Sequence, residues 1–384
     1  MDPTTSALRE QISDFVENEI IPAEPELHDS GDFNSAKLNE LRVKAKARGL
    51  WALGHPKAIG GGGVAFLPFV YLNEIIGRSE WGMYALGTAS MHDCMMIADH
   101  GTAEQRERYL GDLVSAAALP STALTEPDVA GSDPTLMTTT AVLDGDEWVI
   151  NGHKWFVSCA NLARVTTVFC RTEAAAEERH SAFTALLVPT DSPGYEIVRV
   201  IPTLGSLAPH CEVRLKDVRV PNTAVLGHRG QGFTIAQQRL GAGRILHCMR
   251  WLGQAQRAFE LMCDRAKTRY AHGSALADKG EIQRFIADSA AEMHAARLMT
   301  LDAARRIDAG ESARVEISMI KVFGATMLHN VIDRAIQVHG ALGVSADTPL
   351  ERMYRNARYA RIYDGPDEVH RMVVARQMLR GATV

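Results

Sequence analysis

A chain of 384 residues with 46% hydrophobic and 23% charged side chains is too long for one ordinary core and too apolar for extensive disorder, so two or three packed domains are expected. A formal net charge of −5 leaves no basic footprint and speaks against nucleic acid as a partner. The six cysteines, at 94, 159, 170, 211, 248 and 263, contain no CxxC pair, which speaks against a disulfide framework and for free thiols in a reducing compartment.

The N-terminus, Met1-Asp2-Pro3-Thr4, carries no basic region followed by an apolar run, and no apolar segment approaches bilayer length. A cytoplasmic protein without membrane insertion is expected. Residues 1–118 read as helices broken by turns, with helical stretches at 40–50, 67–76 and 102–113. Gly60-Gly61-Gly62-Gly63 follows no strand and lacks a GKS/T or GxGxxG continuation, so it predicts a flexible interhelical loop and not a phosphate cradle.

The middle of the chain changes period. Residues 148–157, with Asn151-Gly152 at their centre, predict a hairpin, because Asn-Gly accepts the positive φ angles of a type I′ turn. Further β-type runs fall at 165–170, 182–188, 195–200 and 212–220, punctuated by Asp144-Gly145, Ser192-Pro193-Gly194 and Pro221-Asn222. They predict a barrel or sandwich domain over 119–232. From 233 the period is helical again. Ile245, Met249, Leu252, Phe259, Met262 and Ala266 share one face; Ile317, Ile320, Gly324, Met327, Val331, Ala335 and Val338 share another. The segments 233–270, 281–309 and 312–339, with a shorter one after Asp367, predict an antiparallel four-helix bundle over 233–384. The fold class is mainly α with a central β domain.

Five motifs carry chemistry. They are Leu124-Thr125-Glu126-Pro127-Asp128-Val129-Ala130-Gly131-Ser132-Asp133, Lys154-Trp155-Phe156-Val157-Ser158, Arg269-Tyr270-Ala271-His272-Gly273, Gln337-Val338-His339-Gly340-Ala341-Leu342-Gly343 and Ile362-Tyr363-Asp364-Gly365-Pro366-Asp367-Glu368. Singly, each has a plain structural meaning: a polar loop, a core strand, a solvated arginine, a glycine helix cap and a turn. In this order, across essentially the whole chain, they resemble the signatures of the acyl-CoA dehydrogenase family, including TEPxxGSD, RxxFG, QxxGGxG and IYEGTxE.

The resemblance implies an N-terminal helical domain (1–118), a middle β domain (119–232) and a C-terminal four-helix bundle (233–384), with FAD as cofactor. A flavin ring needs hydrogen-bond partners at its N5, O4 and O2 edges. The family places Leu124, Thr125, Gly131 and Ser132 there, with Gly131 permitting close approach. Phe156, Val157 and Ser158 would line the ring, the aromatic shielding it. Arg269 would reach the pyrophosphate of FAD in a neighbouring subunit, where a guanidinium fork suits phosphate oxygens. Gln337 and Gly340 would meet the adenosine end across the same interface, and Pro366 and Glu368 complete the cofactor set. A homo-oligomer, a dimer of dimers, follows. Ser132, Gly241, Arg244, Asp364 and Gly365 would bind the acyl-CoA substrate.

In this family the carboxylate of the IYEGTxE turn takes a proton from carbon 2 while hydride leaves carbon 3 for flavin N5. The position is Asp364 here. The base residue's own N–H helps to polarise the thioester oxygen, an oxyanion-hole arrangement. Aspartate is shorter than glutamate by roughly 1.5 Å, and a misplacement of about 1 Å can cost on the order of 100-fold in rate, so backbone or substrate must adjust. The other position used for the base in this family is Gly243 here, which leaves Asp364. Asp-Gly-Pro-Asp-Glu-Val-His, with Arg239-Leu240-Gly241 and the run 243–250, resembles the branch of family members 10 and 11, associated with longer or substituted chains, including 4-hydroxyacyl groups. An electron-transfer flavoprotein is the implied acceptor. Two other classes stay open: a flavin oxidase of the same fold (an acyl-CoA oxidase or a nitroalkane oxidase, which also uses aspartate), and a non-catalytic flavin-binding scaffold. No metal site is expected, since His92-Asp93-Cys94 and His247-Cys248 point apart on a helix and no HxxxH occurs. No GxSxG elbow is present.

Overall fold

The computed structural model describes residues 1–173, 179–205 and 207–382. Its helices are α1 (Pro3–Phe15), α2 (Ile21–Ser30), α3 (Ala36–Ala47), α4 (Phe66–Ile76), α5 (Gly82–Ala85), α6 (Met91–His100), α7 (Ala103–Ser115), α8 (Gly232–Thr268), α9 (Gly280–Asp308), α10 (Arg314–His339), α11 (Leu350–Tyr359) and α12 (Asp367–Leu379). Its strands are β1 (Thr122–Ala123), β2 (Thr140–Asp144), β3 (Glu147–Ser158), β4 (Val165–Arg171), β5 (Phe183–Pro189), β6 (Tyr195–Val200), β7 (His210–Pro221), β8 (Val225–Leu226), β9 (Tyr270–Ala271) and β10 (Ser274–Ala275). Two compact units result. One holds Met1–Leu50, Val64–Leu86 and the chain from Gly241 onward; the other holds Trp51–Gly63 and Gly87–Leu240.

The second unit is built on one sheet of order β6-β7-β3-β2-β4-β5-β8, with β1 added parallel to β4. The two-residue period of a strand divides β4 and β5 between two cores. Val168, Cys170, Leu186 and Val188 join Trp148, Ile150 and Val213 in one cluster. Val165, Phe169, Phe183, Ala185 and Leu187 join Cys94, Ile97, Leu110 and Leu113 of α6 and α7 in the other. The first six residues of each strand are buried, threonines included, and each large aliphatic contributes about 1.5–3 kcal/mol. Helix α7 starts where the sequence predicts, with a capping box in which Gln105 N donates to Thr102 Oγ1 (3.2 Å) and Thr102 N to Gln105 Oε1 (3.0 Å).

Two expectations are corrected in this unit. Asn151-Gly152 is not a hairpin turn but lies inside the continuous twelve-residue β3. The turn falls at 145–146, between Asp144 and Glu147, which are paired, with Gly145 at φ 62°. Asn151 instead faces a bulge on β7, where the register shifts by one residue and Asp217 takes φ 51°. Its amide bridges that bulge, Nδ2 donating to Asp217 Oδ1 (3.0 Å) and Oδ1 accepting from Asp217 N (2.9 Å). Gly152 is there for space, since a Cβ would lie 2.2 Å from Thr139 Oγ1. The four-glycine segment is a packed turn and not a flexible loop. The amides of Gly61, Gly62 and Gly63 donate to Pro56, Ala52 and His55 carbonyls, so they are spent internally. A Cβ at Gly61 would lie 2.3 Å from that of His55.

In the first unit α9, α10 and α12 pack with the later turns of α8 as the predicted bundle. Every residue of the predicted α10 face is buried. The segment Arg314–Val344 is, contrary to the sequence expectation, long and apolar enough to cross a membrane, yet most of its apolar window is buried inside the protein, as in a core helix. Helices α4 and α8 approach through glycines. A Cβ at Gly77 would lie 2.3 Å from Arg250 Cα, and one at Gly253 would lie 2.0 Å from Glu74 O. Helix α11 was not predicted, although Leu350, Met353 and Ala357, the residues it buries in an arginine-rich segment, recur at helical spacing.

Candidate active site

In the second unit the site begins with a buried ion pair. Lys154, on β3, donates from Nζ to Glu126 Oε1 and to Leu124 O, both at 3.0 Å, and the two side chains are 0% and 2% exposed. Glu126 also accepts from Thr138 N (2.7 Å), Thr138 Oγ1 (2.6 Å) and Thr139 N (2.8 Å). Burial by itself would raise the Glu126 carboxyl, but Lys154 and these donors outweigh it and hold the group down at about 2. The loop 124–137 is thereby tied to β3. A further pair of bonds joins Thr125 to Trp155, Oγ1 to O at 2.8 Å and O from N at 3.0 Å. Gly131 must be glycine, because a Cβ would meet Thr125 Cγ2 at 2.8 Å.

Beside this loop, β3 carries a second bulge, between Lys154 and Val157. Phe156 sits in it at φ 50°, a conformation that costs an aromatic residue energy and is found where a side chain is re-aimed. Its ring is 45% exposed, with Trp155 edge-on at 5.1 Å. Val157 is fully buried in the sheet core, its side chain out of a ligand's reach. Ser158 Oγ lies 3.0 Å from His210 Nδ1, and Ser132 is exposed. An aromatic face held outward, two nearby hydroxyls and a glycine that lets backbone approach fit one face and the polar edge of a flat heterocycle such as a flavin.

In the first unit the predicted base stands at the end of a clamped turn. Asp364 and Gly365 take φ 54° and φ 100°. The Asp364 carbonyl accepts from Arg244 Nε (2.8 Å) and His370 Nε2 (3.1 Å). Lys321 donates to Ala360 O (2.6 Å) and Gly365 O (3.2 Å), its Nζ 5.4 Å from the ring centres of Trp251 and Tyr363. Trp251 Nε1 donates to Tyr363 OH at 2.8 Å. The Asp364 carboxylate meets an imidazole, with His247 Nε2 3.2 Å from Oδ2. Arg250 Nη2 lies 2.9 Å from His247 Nδ1. Burial, then the Arg250 cation, holds the His247 imidazole down at about 4 against the pull of Asp364. Burial also lowers Lys321 and Arg244, and raises the Tyr363 phenol.

The turn therefore gathers Arg244, Asp364 and Gly365 of the predicted set. Pro366 caps α12, Asp367 is buried beside Arg361 (2.7 Å), and Glu368 is exposed. A Cβ at Gly241 would meet nothing within 4 Å. Arg269, Gln337 and Gly340 are exposed on other elements of this unit; Gly340, at φ 65°, caps α10 by donating to the Gln337 and Ile336 carbonyls. Glu126, Lys321, His247, Arg250 and His370 were missed as site residues. Arg244, His247 and Arg250 recur at intervals of three on α8, and Lys321 is a cation inside the apolar stripe of α10, where lysine is seldom buried without a task. Those were the available signals. Among the described residues no three His, Cys, Asp or Glu gather as a metal site.

Comparison with known proteins gives matches along the whole chain. Family models described as acyl-CoA dehydrogenase N-terminal, middle and C-terminal domain match residues 2–117, 121–218 and 230–379. The chain is 42% identical to the "Probable acyl-CoA dehydrogenase FadE2" of Mycobacterium tuberculosis, over 97% of this chain and 94% of that one. It is 38% identical to acyl-CoA dehydrogenase family member 10 of Mus musculus over 99% of its own length, while spanning 37% of that longer protein. A crystal structure of acyl-CoA dehydrogenase from Geobacillus kaustophilus superposes with a TM-score of 0.87 at 27% identity, covering 98% of both chains.

Proposed function

The chain belongs to the acyl-CoA dehydrogenase family, and from that premise we propose that this FAD-dependent oxidoreductase converts an acyl-CoA to its trans-2-enoyl-CoA with Asp364 as the base. FAD, when bound, supplies the acceptor for the hydride that leaves carbon 3. The chain's own part is to take the proton from carbon 2, and the observation that carries the assignment is the clamped backbone from which the Asp364 carboxylate projects. Arg244 and His370 hold the Asp364 carbonyl, and a left-handed backbone at 364 sets where the short side chain starts. A carboxylate held in place is what general-base removal of a weakly acidic C–H requires.

On the same reading, Leu124, Thr125, Gly131, Ser132, Phe156, Ser158 and the main chain of Val157 serve the flavin. Arg269, Gln337 and Gly340 serve its pyrophosphate and adenosine end, and Pro366 and Glu368 complete the set. Ser132, Gly241, Arg244 and Gly365 serve the substrate. The similarity to family member 10 supports a long or substituted acyl chain, 4-hydroxy chains included. An electron-transfer flavoprotein takes the electrons onward, and a dimer of dimers completes the cofactor site. The three-domain division at 118/119 and 232/233 accompanies this proposal. Six free cysteines support a reducing compartment, the cytoplasm.

The test is an anaerobic titration of the holoenzyme with acyl-CoAs of graded length and substitution, following flavin absorbance. Bleaching by one class identifies the substrate. Absence of bleaching by every acyl-CoA, or brisk oxygen uptake without an added acceptor, overturns the dehydrogenase assignment.

A further inference from the structure

We propose that His247 is a positioning residue for the Asp364 base, donating from Nε2 to one carboxylate oxygen as a neutral imidazole whose tautomer is fixed by Arg250. A guanidinium has donors and no acceptor. The 2.9 Å contact between Arg250 Nη2 and His247 Nδ1 therefore requires a bare lone pair on Nδ1. The ring proton of the neutral imidazole is then on Nε2, which stands 3.2 Å from Asp364 Oδ2. Arginine, histidine and aspartate form a directed chain of donors ending on the carboxylate.

The surroundings keep that chain in one state. Arg244 and Arg250 lie on the histidine's own helix. Lys321 comes from α10, Tyr84 from α5, and Tyr363, Asp367 and His370 from the turn and α12. Burial is the first obstacle to a charge on the ring, and the nearby Arg250 and Lys321 oppose it further, so the imidazole stays neutral through the neutral pH range. The Tyr363 ring, centred 4.9 Å from that of His247, restricts its tilt. A donor on a carboxylate favours the ionised form and fixes which oxygen points forward. A short aspartate side chain gains most from such a device, because a small rotation moves its reactive oxygen out of reach.

This rests on Asp364 being the base, so the experiment separates the two. The rate of anaerobic flavin bleaching by the best acyl-CoA is measured against pH for the holoenzyme and for His247→Leu and His247→Gln. In His247→Leu the acid limb moves up by about one unit. His247→Gln keeps an amide donor at similar reach and returns the limb most of the way toward that of the parent. An unmoved limb in His247→Leu, or a glutamine variant indistinguishable from leucine, overturns the positioning role. If Asp364→Asn is inert in the same assay, the base assignment survives that failure; if Asp364→Asn bleaches normally, the base assignment itself falls. Independently of turnover, 15N spectra of histidine-labelled protein should show His247, identified by the signal lost in His247→Gln, protonated on Nε2 and bare on Nδ1 at neutral pH. A charged ring or the opposite tautomer contradicts the proposal.

Discussion

In loop 124–137 a buried lysine reaches the carboxylate of Glu126 and a carbonyl beside it. In turn 360–366 the cations of Arg244 and Lys321 reach carbonyl oxygens, and the Asp364 carboxylate meets a neutral imidazole. The ingredients are alike and their use is opposite. Glu126 takes four donors on its two oxygens and is thereby a fastener, its proton affinity too low for it to act as a base. The turn aims Arg244 and Lys321 at backbone carbonyls, which holds the residue through its main chain, while an imidazole faces the acid at its tip. The chemical role of a carboxylate in this protein follows from where the neighbouring cations aim, more than from how deeply it is buried.

The contrast can be broken from either side, and the largest effect is expected at the turn. Asp364→Asn should retain FAD and fold normally, yet bleach on the order of 10²–10⁴ times more slowly in anaerobic stopped flow, the usual worth of a general base. In the loop, Lys154→Met strands a buried carboxylate and should cost about 3–5 kcal/mol in urea unfolding. A loss of under about 1 kcal/mol, the surface-pair range, would show the pair to be incidental. The double variant Lys154→Met/Glu126→Gln should recover part of the loss.

The pH dependence should follow the same pair. Glu126 is held at about 2 in the folded protein, below its ordinary 4.5, so the unfolded chain binds the proton more readily. Its contribution is complete above pH 4.5 and is lost as pH falls toward 2. Urea midpoints measured across that window should fall more steeply for the parent than for the double variant. Smallest is Gly365→Ala, which places a Cβ 2.7 Å from His370 Nε2 on a backbone at φ 100°. It should cost about 1–3 kcal/mol of stability, seen in thermal unfolding, and slow bleaching as the turn shifts.

Much of this was legible beforehand, and the failures have a common physical cause. Strand and helix periods located β4 to β7 and α8 to α10, because burial of one or both faces repeats at fixed intervals along a chain. Asn151-Gly152 misled because the same residue pair serves a tight turn and a bulge equally well, and the choice was made by Asp217 and Thr139, far away in sequence. Lys154 was read as part of a strand, and its partner Glu126 lies 28 residues away. Nothing local announces such a pair. His247 stands beside Cys248 with no third metal-ligating residue at a useful spacing, so the sequence offers it no role. Its meaning depends on a turn 117 residues later in the chain, at Asp364.

The central claim is that the carboxylate at 364 performs the proton removal. Asp364→Gly tests it most directly, since glycine accepts φ 54° without strain and removes the acid cleanly. Anaerobically mixed with the acyl-CoA that best reduces the parent enzyme, the variant should leave its flavin oxidised, and added formate should restore bleaching in proportion to formate concentration. Bleaching at the parental rate without formate would contradict the account.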